Sequence, residues 1–172
     1  MRKERDFTHG GDRHEQRNVQ KRQLSAEKTS EIFTAGHHGI LSVNGDDGYP
    51  YGVPVNYVYL DDHIYIHSAK YGYKIDALQR NDKVCFTAIL DSEILPSKFT
   101  AAFESVIAFG KASFVEDEAE KKKALDTFID RFSPDFREGG QKFIAATISK
   151  TAIIRIDVES ITGKGYKGGA WK

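Results

Sequence analysis

Cysteine is almost missing from this chain: Cys85 is the one example in 172 residues. A lone cysteine excludes an internal disulfide, so packing alone must hold the fold. It sits in the apolar run Val84-Cys85-Phe86 and reads as a core residue rather than a reactive thiol. An excess of one charge is missing too, with 25 Lys and Arg against 25 Asp and Glu. Such a balance gives no general attraction to nucleic acid or to a membrane surface. Long apolar runs are absent: no stretch of the sequence nears the ~18 residues of a membrane helix. The start is charged from Arg2 onward and lacks the apolar segment of a secretory signal. A cytoplasmic protein is the expectation. Also absent are GxSxG, GxxxxGK[ST] and HExxH. That leaves binding modules and enzymes whose cofactor carries the chemistry.

What is present is mostly β patterning. Residues 1–23 form a polar arm with seven positive and four negative side chains. Phe7 is its one aromatic, too few to stack on successive bases, so a mobile arm or a strap on a partner subunit is expected. His9 and His14 flank Asp12 there, but no rigid element supplies a further ligand, and no metal site is expected. The domain proper spans 24–163, and 164–172 reads as a Gly/Lys tail.

Ser25 caps a predicted helix over Ala26–Ala35, with Ile32 and Phe33 inward and Gly36 as its stop. His37 and His38 follow, where histidines complement a helix dipole. Predicted strands cover Gly39–Asn44, Tyr51–Leu60, His63–His67, Lys83–Leu90, Phe103–Phe114 and Thr151–Val158. Gly45-Asp46-Asp47-Gly48 is a turn. Pro54 argues for an edge or a bulge, and Gly110 for a bulge. Asp117 and Glu120 resemble a capping box opening a helix to about Phe132, with Ala124, Leu125, Phe128, Ile129 and Phe132 in one stripe. Lys142–Ser149 fits helix or strand. Strands outnumber helices about two to one, and connections are short. The fold class is therefore mainly β (α+β), an antiparallel barrel with a few peripheral helices.

The chemistry concentrates in Ile64-Tyr65-Ile66-His67-Ser68-Ala69-Lys70-Tyr71-Gly72-Tyr73-Lys74-Ile75. A strand ending at His67 passes through small residues into a helix. A helix start offers free N–H donors and the positive end of a dipole, which suit a phosphate. Lys70 and Lys74, four residues apart, can share one side of the first turn. The alternative is two solvated lysines and a serine that merely caps.

Three further segments accompany that loop: Gly48-Tyr49-Pro50-Tyr51-Gly52-Val53-Pro54-Val55-Asn56-Tyr57-Val58-Tyr59, Lys74-Ile75-Asp76-Ala77-Leu78 and Asn81-Asp82-Lys83-Val84-Cys85-Phe86. In that order they resemble the pyridoxamine-phosphate-oxidase-like, FMN-binding split-barrel superfamily, in its nitroimidazole-resistance (Nim-type) branch. Met1-Arg2-Lys3-Glu4-Arg5-Asp6 is similar to that branch's start, and the likeness runs over about residues 30–163. It implies a split β-barrel homodimer with FMN, or the larger FAD, at the subunit interface. It implies that Val53, Pro54, Val55, Asn56 and Tyr57 pass the isoalloxazine, offering backbone groups and the Asn56 side chain. His67, Ser68, Ala69 and Lys70 would line the ribityl phosphate, Lys74 would complete the clamp, and Ser105 would reach the cofactor from Glu104-Ser105-Val106. His67 is the candidate catalytic group, with a purely orienting role as the equal alternative. The implied reaction is reduction of a small acceptor such as a nitroaromatic or 5-nitroimidazole, with NAD(P)H as donor. The rival reading is a flavin or haem carrier without turnover. The ending Gly168-Gly169-Ala170-Trp171-Lys172 lacks the family's Arg-rich, proline-ended segment, which argues against pyridoxamine phosphate as substrate. Trp171 is either part of a free tail or a cover for the flavin ring. Asp91–Thr100 is expected as a long loop or a substrate-side lid.

Overall fold

The computed structural model describes residues 22–168, apart from the Asp91 side chain. The N-terminal arm with His9 and His14, and the end with Trp171, lie outside the described residues. The elements are α1 (Ala26–Ala35), β1 (His38–Asn44), β2 (Pro50–Asn56), β3 (Val58–Leu60), β4 (His63–Ala69), α2 (Tyr73–Arg80), β5 (Lys83–Leu95), β6 (Thr100–Phe114), α3 (Glu118–Phe132), α4 (Arg137–Thr147) and β7 (Thr151–Tyr166).

All seven strands join one antiparallel sheet in the order β2-β1-β5-β6-β7-β4-β3. The two edge strands, β2 and β3, are consecutive in the chain, with Tyr57 alone between them. One residue spans at most about 7 Å from the Cα before it to the Cα after it. The sheet must therefore curl until its edges meet, and the result is an antiparallel split β-barrel. The continuous strand expected over Tyr51–Leu60 is accordingly broken at Tyr57, whose ring is fully buried. Pro54 sits on the edge strand, where a missing N–H breaks no ladder.

Strand alternation produces two apolar layers. Ile64 and Ile66 of β4 point into the barrel with Leu41, Phe86, Val106, Ile154 and Ile156. Tyr65 points the other way, into a cluster with Val58, Val115, Ala124, Phe128 and Ile153, which α3 covers. Helix α1 forms as expected. Ser25 Oγ accepts from Lys28 N–H at 3.2 Å, and Ile32 and Phe33 enter the barrel core. Asp117 caps α3 by accepting from Glu120 N–H at 2.7 Å. Glu120 does not complete a capping box. Its carboxylate instead accepts from the Tyr65 hydroxyl at 2.9 Å and from Arg155 at 3.1 Å, tying α3 to the sheet.

Two sequence expectations need correction, and one open choice is decided. Asp91–Thr100 is neither a lid nor an open loop: Asp91 pairs with Glu104 and Leu95 with Thr100, so β5 and β6 continue as a hairpin arm. Its tip, Pro96–Lys98, is one short 3₁₀ turn. Thr162 onward is not yet a tail, because β7 runs to Tyr166 and pairs with β6 as far as Phe103. Lys142–Ser149 is helical through Thr147, in a helix that starts earlier than the pattern suggested. Gly139 and Gly140 mask that start, yet Gly140 is what lets α4 close on Ile129 of α3. The bulge expected at Gly110 is present, with the β6–β7 register slipping between Phe109 and Gly110.

Candidate functional site

The barrel is open along one seam. Strand β3 pairs with β4 only between Val58–Leu60 and His63–Tyr65. Residues 66–69 of β4 are thus unpaired on that side, although β7 continues on the other. Strand β2 is likewise unpaired along its outer edge. Two rows of free backbone N–H and C=O groups border the seam, where β2 and β4 approach one another. Val53 and Val55 are half-buried and pack on the barrel core, while Pro54 and Asn56 are exposed. What β2 offers a ligand is mainly its backbone edge. The Asn56 amide is engaged, donating to the His37 carbonyl at 3.2 Å. The Tyr57 side chain faces inward and donates to the Phe33 carbonyl at 3.0 Å. Burial pushes its phenol up to about 12.

One end of the seam brings together groups whose chemistry suits an anion. Ser68 Oγ is buried with no hydrogen-bond partner, a cost that a ligand oxygen would relieve. Lys70 and Lys74 form no ion pair with any described residue. No side chain caps α2, so the N–H groups of Tyr73 and Lys74 stay open, while that of Ile75 donates to the Gly72 carbonyl at 2.8 Å. Gly72 precedes it at φ 114°, a conformation that a residue with a Cβ adopts only under strain. Tyr73 anchors the start of α2. Its hydroxyl donates to Asp46 Oδ1 at 2.7 Å, and its ring meets Tyr51 of β2 edge-on at 4.8 Å. The β4 end, the α2 start and the beginning of β2 are thereby gathered in one place. The cradle fits the phosphorylated cofactor that the sequence motifs imply.

Alternation on β4 divides the expected run of contacts. Ser68 continues the inward series of Ile64 and Ile66, whereas His67 and Tyr65 lie on the outward face. His67 stands edge-on to Phe128 of α3, with ring centres 4.6 Å apart. Phe128 stacks on Phe132 at 5.9 Å, and Phe132 meets His37 at 5.6 Å. His67 keeps an exposed edge, yet the apolar wall desolvates the imidazole and lowers its pKa. The sequence placed Phe128 and Phe132 in a core stripe. Their i, i+4 spacing shows only that the two rings can stack on one another.

The cation at the C-terminus of α1 also differs from expectation. Arg131 of α3 fills that place, donating to the Gly36 carbonyl at 2.6 Å. Cys85 is half-buried, and burial raises its thiol pKa, so a thiolate is disfavoured. Ser105 does not join the cradle within one chain. It pairs with Lys164 of β7, and Ser68 pairs with Ala152 of the same strand. Those two positions are separated by about 40 Å of strand contour.

The model of the pyridoxamine 5'-phosphate oxidase family matches residues 25–165. The chain belongs to that family. No curated protein matches it. Among solved structures, a candidate 5-nitroimidazole antibiotic resistance protein from Bacteroides thetaiotaomicron is 27% identical, with a TM-score of 0.67 over 83% of this chain and 85% of that one. An FAD-binding protein from Mesorhizobium loti is 25% identical, with a TM-score of 0.60 over 85% of this chain and 98% of that one. The flavocytochrome Anf3 from Azotobacter vinelandii shares the fold at 23% identity, with a TM-score of 0.76 over 92% of this chain and 75% of that one. Among the described residues, no helix is long and apolar enough to cross a membrane.

Proposed function

We propose that the chain is a flavin-dependent oxidoreductase that reduces a small acceptor of the nitroaromatic or 5-nitroimidazole type, with a nicotinamide nucleotide as donor. The observation that carries this reading is the cradle: an orphaned Ser68 hydroxyl, two unpaired lysines and an uncapped helix start beside an open seam. Support also comes from the relatives, one a candidate nitroimidazole-resistance protein and one an FAD-binding protein.

A bound flavin would supply the hydride and electron chemistry. Lys70 and Lys74 would neutralise its phosphate, and Ser68 would donate a hydrogen bond to a phosphate oxygen. The free edge of β2 over Val53–Asn56 would present N–H and C=O groups to the polar rim of the ring. Desolvation lowers the His67 pKa and favours its neutral form. One ring nitrogen can then donate a proton while the other accepts. The Phe128–Phe132 wall would keep water from that side.

A homodimer is part of the proposal. The outer face of β1, β5 and β6 carries Ile40, Ile89, Ile107 and Phe109, all exposed. Isolated apolar residues are ordinary, but a contiguous apolar sheet face signals an interface. Ser105 lies on that face, in register with Ile89 and two residues from Ile107. A second copy seated there would bring Ser105 to a neighbouring cradle, which its distance from Ser68 in one chain otherwise forbids.

The test is the purified full-length protein. Flavin absorbance bands, a dimer mass in solution and anaerobic reoxidation of the photoreduced protein by nitroaromatic or quinone acceptors are expected. Colourless protein that takes up haem and refuses flavin would instead support the carrier reading. Flavin retention with no reoxidation by any acceptor would limit the role to binding.

A further inference from the structure

The segment Lys70-Tyr71-Gly72-Tyr73-Lys74 interleaves its two cations with two tyrosines. The anion cradle uses the lysines and leaves the rings unaccounted for. Tyr71 is 81% exposed and presents its ring to solvent next to the binding loop. Tyr51 and Tyr73 are each a little over one-third exposed and pack edge-on to one another. Neither is free to swing away. Tyr73 is tied to the β1–β2 turn twice, donating to Asp46 Oδ1 at 2.7 Å and accepting from Asp46 N–H at 3.1 Å. Arg80 lies 6.0 Å from the centre of the Tyr73 ring and pairs with Asp46 at 3.8 Å. Asp46 is therefore countered, while Asp47 in the same turn and Asp76 in the first turn of α2 form no ion pair with any described residue.

We infer that this rim binds the adenosine half of a dinucleotide flavin, with the pyrophosphate on Lys70 and Lys74 and the adenine stacked on Tyr71 beside the Tyr51–Tyr73 pair. The inference rests on the flavin reading above and names the form of cofactor that the site selects. A mononucleotide ends at its phosphate and would leave all three rings bare. A ligand that continues past the phosphate covers them. Two cations flanking the loop suit charge spread over two phosphates. A fixed ring pair with a third, solvent-facing ring suits a planar base, because stacking needs a π-face rather than a matched set of hydrogen bonds.

The experiment is a fluorescence titration of flavin-free, full-length protein with FAD and with FMN, for the native sequence, Tyr71→Ala and Tyr71→Trp. Tyr71 is largely exposed and forms no hydrogen bond or ring contact with any described residue, and circular dichroism checks each variant. Native protein is expected to bind FAD roughly tenfold more tightly than FMN, the scale of one stacked base. Tyr71→Ala should remove most of that preference by weakening FAD alone, and Tyr71→Trp should restore it. Equal affinities in the native protein, or a Tyr71→Ala variant that weakens both ligands equally or neither, would overturn the inference and leave the flavin reading standing. Failure to bind either ligand would overturn both.

Discussion

The imidazole of His67 and the ring of Phe128 stand perpendicular, 88° between planes, with centres 4.6 Å apart. The contact joins a strand of the seam to α3, and it adds to the burial that lowers the pKa of the histidine.

Removing that contact should change how His67 titrates. Desolvation lowers its pKa from 6.5, so the folded state favours the neutral ring. Its contribution to stability is present above pH 6.5 and is lost as pH falls from there through the folded-state pKa. Phe128→Leu should move the His67 pKa back toward 6.5, read from its ring proton shifts by NMR. An unmoved titration would mean that some other surface desolvates the imidazole. Phe128→Ala, which empties a nearly fully buried site, should cost about 3–5 kcal/mol of stability.

Ser68→Ala separates a ligand role from a structural one. The hydroxyl has no partner within the chain, so its removal should leave the thermal midpoint of the flavin-free protein unchanged or slightly higher. Flavin affinity should fall about tenfold. Lys74→Ala should weaken binding as well, with a shallower dependence on salt than the native protein. A variant that loses stability without losing affinity would remove Ser68 from the cradle.

Tyr57→Phe should cost about 1–2 kcal/mol by leaving the Phe33 carbonyl unpaired in the core. It should also abolish the tyrosine that titrates near 12 in the folded protein. The sign runs opposite to that of His67. A raised phenol pKa contributes stability below pH 10, and that contribution disappears as pH rises through the folded value. Difference absorbance near 295 nm against pH would follow it, on the wavelength scale on which phenolate absorbs.

Gly110→Ala should be strongly destabilising, by about 2 kcal/mol or more, although it adds a single carbon. A Cβ at that bulge would run into the carbonyl of Asp157 on the neighbouring strand. Denaturant unfolding measures the loss, and a near-native midpoint would show that β6 and β7 can part locally.

Features carried by neighbours in sequence were legible before any coordinates. Ser25, the Ile32-Phe33 pair and Gly36 define α1 from end to end. The placement of Ser68, Gly72 and the two lysines around a strand end, a turn and a helix start was readable too, because these follow one another within eight residues. Features carried by distant partners were not. Nothing in the alternation of residues 51–60 reveals that Tyr57 must turn, since the turn comes from the sheet closing on itself. The polar run Asp91-Ser92-Glu93 resembles a loop until its partner strand is known. Phe128 reads as one more stripe residue, and only the docking of α3 on β4 gives it His67 as a neighbour. The opposed directions of His67 and Ser68 were available in principle from the period of two along a strand.

The passage from one rim of the slit to the other through Tyr57 alone gives the slit an unusual kind of gauge. Its width near that hinge is set by the covalent reach of one amino acid, not by any side chain that mutation could trim. Substitutions along the rims can alter what is gripped there. A one-residue insertion beside Tyr57 would change how far apart the rims stand, and with it the thickness of molecule that the slit admits.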